Sequence, residues 1–229
     1  STQAKTLFPY TTLFRSSSTD RLFSVGLVGG GLISSGTGAV NFTNTGSIGY
    51  NGQTGARNFT LTGTNTGANT LAAVIGDNGA ATTLYKDGAG TWVLTGANAY
   101  SGGTTISGGL LQVGNGGTSG ALGFGAVINN GNLTFNRSDA FTVSNAISGS
   151  GTLTHTGTGT MTMSGVNSYT GVTVINAGVL KITSLTTGGS NSNIGASSNA
   201  ASNLVLNGGA LQYTGNAAST DRLFSVGTS

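Results

Sequence analysis

Very few side chains in this sequence can move a proton, attack a carbonyl or hold a metal. His155 is the single histidine, the only acids are five Asp, and there is no Glu and no Cys. Without Cys there is neither a disulfide framework nor a thiolate metal site. His155 is the one ordinary base near neutral pH, and no carboxylate is spaced to orient it. Gly76-Asp77-Asn78-Gly79 has the outline of a loop around a serine nucleophile but no Ser, and it reads as an Asp-Asn-Gly turn. Asp20/Arg21 and Arg137/Asp139 are the densest charged positions. Asp20/Arg21 recur as Asp221/Arg222, which marks them as coil-edge features. Thr152, Thr154, Thr156, Thr158, Thr160 and Thr162 alternate along one run, a candidate ice-matching array that Gly157 and Gly159 interrupt. Five scattered Asp cannot supply the periodic Gly/Asp pattern of calcium-binding β-rolls. The expectation is therefore no catalytic residues, no cofactor-binding residues and no metal ligands.

The composition explains what stands in place of charge. Gly accounts for 42 of 229 residues and charged residues for 6 %, against about 7 % and 25 % in ordinary domains. Thr, Asn and Ser form the polar surface, which suits side chains stacked in rows where like charges would repel. No apolar run approaches the ~18 residues of a membrane-spanning helix.

The elements that must position any site are visible as repeats. Gly88–Val113, GAGTWVLTGANAYSGGTTISGGLLQV, returns without gaps as Gly157–Ile182, with 11 of 26 positions identical. The identities include Asn98/Asn167, Tyr100/Tyr169, Ile106/Ile175, Gly109/Gly178 and Leu111/Leu180. In the same alignment His155 replaces Lys86, and a polar-for-polar exchange predicts an exposed position beside a turn. A shorter unit runs aliphatic, two small or polar residues, Gly, any residue, Leu, any residue, apolar. It appears from Ile106, Ile128, Ile175 and Leu206. Leu and the closing apolar residue share one strand face, and Gly fits a corner that needs positive φ. Glycine is too frequent, and apolar periodicity too short, for helices.

Corners at Ile106 and Ile128 lie 22 residues apart, and the offset from Gly88 to Gly157, 69, is about three times 23. This spacing predicts a right-handed parallel β-helix of nine or ten coils of about 22 residues, with repeats three coils apart. A string of β-sandwiches would need antiparallel hairpins and ~100-residue units instead. A longer repeat frames the chain: STDRLFSVG at Ser18–Gly26 recurs at Ser219–Gly227, so a unit of 201 residues restarts at 219.

Thr6–Ser16, TLFPYTTLFRS, resembles the translation of a sequencing adapter, and it holds the only Pro. Residues 1–17 are expected to be foreign to the natural protein, with residues 18–229 a fragment of a longer β-helix, since the chain lacks an initial Met and ends mid-pattern. Without residues 1–17 the formal charge of +3 falls to about +1, six Lys/Arg against five Asp. That leaves no basic stripe for nucleic acid.

Gly88–Gly117 resembles the autotransporter-associated β-strand repeat, Gly-x-Gly-Thr-Leu-x-Leu-Thr-Gly-x-Asn-x-Tyr-[Ser/Thr]-Gly-Gly-Thr-Thr followed by Leu-x-Val. Trp92 replaces one Leu, and Val172 replaces the second Gly of the later copy. The resemblance implies the passenger of a Gram-negative autotransporter, exported through the periplasm and displayed outside the outer membrane by a C-terminal β-barrel translocator. What it implies first is a structural, non-catalytic stalk segment. An adhesin surface binding glycans or cells comes second, and an enzyme platform or ice-binding solenoid last.

Overall fold

The computed structural model describes residues 17–227 as one parallel β-solenoid of about ten turns, close to 22 residues each. Its longest sheet has ten strands: Ser17–Thr19, Val40–Phe42, Asn69–Leu71, Thr91–Leu94, Leu110–Val113, Asn132–Phe135, Thr152–His155, Thr173–Ile175, Leu204–Leu206 and Ser225–Val226. A second face of six strands runs from Gly30–Ile33 to Ile147–Ser148, and a third of four from Phe141–Val143 to Ala210–Tyr213. Every strand pairs in parallel with the equivalent strand one coil away. Among the described residues the only helical segment is a 3-10 turn at Ala201–Asn203, and no helix is long and apolar enough to cross a membrane. At ~4.8 Å per coil, ten coils make a rod about 45 Å long.

The strands alternate because each is short and buried on one side. Val179–Ile182 and Leu110–Val113 both place residues two and four of the strand inside. In-register pairing then stacks like on like. Trp92, Leu111, Leu133 and Leu153 form one internal row, all fully buried. Burying such a side chain is worth roughly 1.5–3 kcal/mol relative to leaving it exposed. No coil can bury its row alone, so the stability resides between coils.

The corners need glycine where the chain of one coil grazes the next. Gly109 has φ +63°, and a Cβ there would meet the carbonyl oxygens of Gly90 and Gly88. Gly178, its counterpart in the second copy, has φ +61° and would meet those of Gly159 and Gly157. This is why Gly is kept at that place in both copies.

The two copies are not separated by the expected three whole coils. Leu111 pairs with Leu133, Leu133 with Leu153 and Leu153 with Thr173, so three coils bring the chain from Leu111 only as far as Thr173. The stretch from Thr173 to Leu180 carries it on round one corner. Leu111 accordingly lies on the long face, while its counterpart Leu180 lies on the third face, paired with Met161. A strand–corner–strand unit tolerates this, because each face offers the same ~4.8 Å ladder and the same interior.

The expectation of a foreign segment at residues 1–17 falls outside the described residues except at Ser17, which pairs with Val40.

Candidate functional site

His155 and Lys86 are not exposed beside turns: both are fully buried. His155 occupies an inward row between Phe135 and Ile175. Its Nε2 lies 3.2 Å from the carbonyl oxygen of Gly159, and Nδ1 is buried without a partner. Lys86 lies between Leu61 and Ile106 in another inward row. Its Nζ donates to the carbonyl oxygens of Asp87, Gly88 and Gly108, at 2.9, 2.9 and 3.0 Å. The physical reason is the corner. Glycine-rich corners leave carbonyls turned inward, and a buried acceptor without a donor is costly. A long basic side chain at the end of an inward strand supplies that donor. Burial pushes both groups below their ordinary pKa values, and for Lys86 the nearby Asp87 opposes the shift.

The Asn-x-Tyr element is a brace built twice. Asn98 Oδ1 accepts the Ile75 N–H (2.8 Å) from the coil on one side, and Nδ2 donates to the Ala121 carbonyl (2.8 Å) on the other. Asn167 repeats this with Ile147 N–H (2.8 Å) and the Asn193 carbonyl (2.6 Å). Tyr100 and Tyr169 are fully buried and share hydroxyl hydrogen bonds with Thr104 (2.7 Å) and Thr173 (2.8 Å). Burial pushes the Tyr100 phenol up to about 12 despite the Thr104 hydroxyl and the Gly123 backbone. Asn69 spans three coils in the same manner. It accepts from the Val40 N–H (2.9 Å) and donates to the Thr91 carbonyl (2.7 Å). Asn193, in turn, donates to the Gly165 carbonyl (2.8 Å) and accepts from Thr183 and Ser184. Sequence reasoning passed over Asn69 and Asn193, because an isolated Asn reads as a turn residue; the ladder partner of Asn69 in the next coil is Trp92, so no repeated Asn marks it.

The remaining candidates do not converge. Asp77 ties a turn: its carboxylate accepts from the Thr82 N–H (2.7 Å) and from Ser101 Oγ (2.6 Å). Burial would raise its pKa, but these bonds outweigh it and hold the carboxyl below the usual range. Arg137 and Asp139 do meet, and Arg137 lines a cleft of about 160 Å³ together with Asn98, Phe124 and Phe141. Arg137 is already engaged through all three of its nitrogens. Nε and Nη2 fork onto Asp139 at 2.9 and 2.7 Å, Nη1 donates to the Gly120 carbonyl at 2.6 Å, and the guanidinium sits 4.9 Å above the Phe141 ring. The Arg137 hydrogen bonds hold the Asp139 carboxyl low, which makes it a poor base. His155 lies behind Phe141, ring centroids 6.3 Å apart. The cleft thus holds the cation, with the acid engaged on it. Among the described residues no group of three or more His, Cys, Asp or Glu could hold a metal ion.

The Thr run divides between faces. Thr152 and Thr154 belong to Thr152–His155 on the long face, and Thr160 and Thr162 to Thr160–Met163 on the third. A flat array is therefore absent along this run.

Residues 84–113 and 153–182 each match the passenger-associated-transport-repeat family. The matched spans begin at Leu84 and Leu153, so they take in Lys86 and His155 and end with the strands Leu110–Val113 and Val179–Ile182. The chain is also 51 % identical over 105 residues to the Adhesin BmaC autotransporter of Brucella suis biovar 1 (strain 1330). That alignment covers 45 % of this chain and 3 % of the relative's length. No solved structure matches the chain. Within the matched spans Asn98/Asn167, Gly109/Gly178 and Leu111/Leu180 of brace, corner and core are kept in both copies, while no acid or base is: His155 stands for Lys86 and Thr156 for Asp87.

Proposed function

We propose that this chain is a non-catalytic, structural segment of an autotransporter passenger, displayed on the outer face of a Gram-negative outer membrane. One observation carries the reading. The chemistry-bearing side chains of the transport repeats are spent on joining one coil to the next, as Asn98 and Asn167 do through both ends of their amides. Such a module transmits stiffness along a rod and offers no reacting group. Its partner in the whole protein is a C-terminal β-barrel translocator, through which the passenger leaves the periplasm. Coil-by-coil folding outside the cell then helps to draw the chain out.

Adhesion is the second reading, favoured by the likeness to the Brucella relative, an adhesin. On this reading outward rows such as Thr142, Thr162, Lys181 and Gln212 contact a glycan or cell surface.

The test places the chain between an export signal and an outer-membrane β-barrel translocator, then treats intact cells with protease. The stalk reading expects a folded, protease-resistant segment on the surface. It expects Leu111→Asp with Leu180→Asp to reduce display, since both side chains are fully buried. Equal display of native and doubly substituted chains would remove folding from the export mechanism.

A further inference from the structure

Two of the three sheets stop inside the rod, and both stop in the same coil. The six-stranded face finishes at Ile147–Ser148, the four-stranded face begins at Phe141–Val143, and the long face runs on through Asn132–Phe135 of that coil. Coils lie on either side of it, so neither stop comes from an end of the chain. The two stops are finished differently. Beyond Ile147 the next coil still bonds backbone to backbone: the Ser168 N–H donates to the Ile147 carbonyl and the Thr170 N–H to the Gly149 carbonyl, both at 2.9 Å.

Before Phe141 the backbone bonding lapses. Successive residues of a parallel strand turn their N–H and C=O to alternate neighbours. The Val143 carbonyl accepts from the Ser164 N–H (3.1 Å) of the following coil, so Thr142 faces the preceding one, where the chain passes as residues 120–125. Bonds between these two coils stop at the Ser138 N–H on the Gly117 carbonyl and resume at the Val127 N–H on the Ala146 carbonyl, both 2.9 Å. Among the described residues no backbone hydrogen bond joins 139–145 to 118–126. The cleft of about 160 Å³ lies in this gap, lined by Leu122 and Phe124 on one side and by Phe141, Thr142 and Val143 on the other. Side chains close it. Arg137 Nη1 donates to the Gly120 carbonyl at 2.6 Å, and Asn145 Nδ2 donates to those of Gly123 and Gly125 at 2.8 and 2.7 Å.

We propose that this gap is a compliant seam, where the rod opens first and about which its halves flex. The hydrogen bonds lost in parting the seam are those of Arg137 and Asn145. The same movement one coil on breaks a ladder, in which Phe141 pairs with Met161, Thr142 with Thr162 and Val143 with Met163. Local opening follows the fewest and least cooperative bonds. The long face stays paired across the seam, with Asn132–Phe135 held between Leu110–Val113 and Thr152–His155. It therefore acts as the spine, and the opening is confined to the third side. Thr142 is exposed, so its free backbone groups meet water while the seam is closed. The seam is a property of the rod and holds equally for a stalk and for an adhesin.

Residue-resolved amide hydrogen exchange of the whole chain, corrected for intrinsic rates, tests this. Ser138 and Val127, whose N–H groups bond at the two edges of the seam, are expected to be more than about tenfold less protected than Ser164 and Ser168, which bond one coil on. Asn145→Ala is expected to lower protection at Ser138 and Val127 further and to leave Ser164 and Ser168 unchanged. Asn167→Ala removes the same kind of amide from the next joint, where its Oδ1 accepts the Ile147 N–H at 2.8 Å. It is expected to lower protection at Ser168 and to leave Ser138 unchanged. Equal protection of the four amides in the native chain overturns the seam, and that comparison stands even where Asn145→Ala fails to fold. A folded Asn145→Ala chain that loses protection equally at all four also overturns it.

Discussion

Replacing Asn98 by Ala removes one side chain and strands two backbone groups. The Ile75 N–H and the Ala121 C=O each hydrogen-bond to the Asn98 amide at 2.8 Å, and Asn98 is only 4 % exposed. A buried backbone group left without a partner costs about 1–3 kcal/mol, so Asn98→Ala is expected to lower unfolding stability by about 2–5 kcal/mol. Asn98→Asp keeps an acceptor for Ile75 but loses the donor to Ala121 and buries a charge, so it is expected to be no better. Asn78 supplies the control, since it too donates to a backbone carbonyl, that of Gln53 at 2.8 Å, but through a hydrogen bond open to solvent. Water replaces that bond, and Asn78→Ala is expected to cost less than about 1 kcal/mol. Urea unfolding followed by circular dichroism measures both, with the slope checked so that a change in midpoint reports stability. A loss below about 1 kcal/mol for Asn98→Ala, or equal losses for Asn98→Ala and Asn78→Ala, would refute the claim that these amides join the coils.

Three further outcomes follow from the same geometry. Burial lowers the His155 pKa from 6.5, so the folded chain holds it neutral while the unfolded chain takes up a proton as pH falls through 6.5. Its contribution is complete above that value and declines below it by up to about 1.4 kcal/mol per pH unit until the folded group also titrates. The slope of stability between pH 5 and 7 should flatten in His155→Leu, while the lowered carboxylates of Asp77, Asp139 and Asp221 titrate in a more acidic window. Gly109→Ala and Gly52→Ala both force a side chain into positive φ, but only Gly109 meets backbone of the neighbouring coil. Gly52→Ala should cost about 1–2 kcal/mol from strain alone and Gly109→Ala clearly more, by thermal unfolding. Tyr100 should stay protonated below about pH 11 in the folded chain and titrate near 10 only after unfolding, which ultraviolet difference spectra resolve.

Much of this architecture is legible in the residues. Leu111 and Val113 behind Gly109, repeated at Leu180 and Ile182 behind Gly178, specify strand, corner and inward face, and the spacing of such units specifies the coil. What the residues hide is the inside polarity. Lys86 and His155 read as surface because charge usually seeks water. Here the determining fact is a set of inward corner carbonyls, and no single position announces those. The phase of the long repeats is hidden too. The short coil from Thr91 to Leu110 and the long one from Thr173 to Leu204 close equally well, so the offset between Gly88 and Gly157 does not tell on which face the copy will land. Of the candidate charged pairs, Arg137 and Asp139 were legible by their closeness in sequence, and the structure joins them in an ion pair.

The central claim is that this segment supports and does not itself bind. Cells displaying it on an outer-membrane translocator, measured beside cells carrying the translocator alone, put that claim to the most direct test against immobilised glycans and epithelial monolayers. The stalk account predicts equal retention of the two. Saturable retention of the displaying cells, lost when the segment is unfolded, would contradict it and make the solenoid surface itself the adhesin.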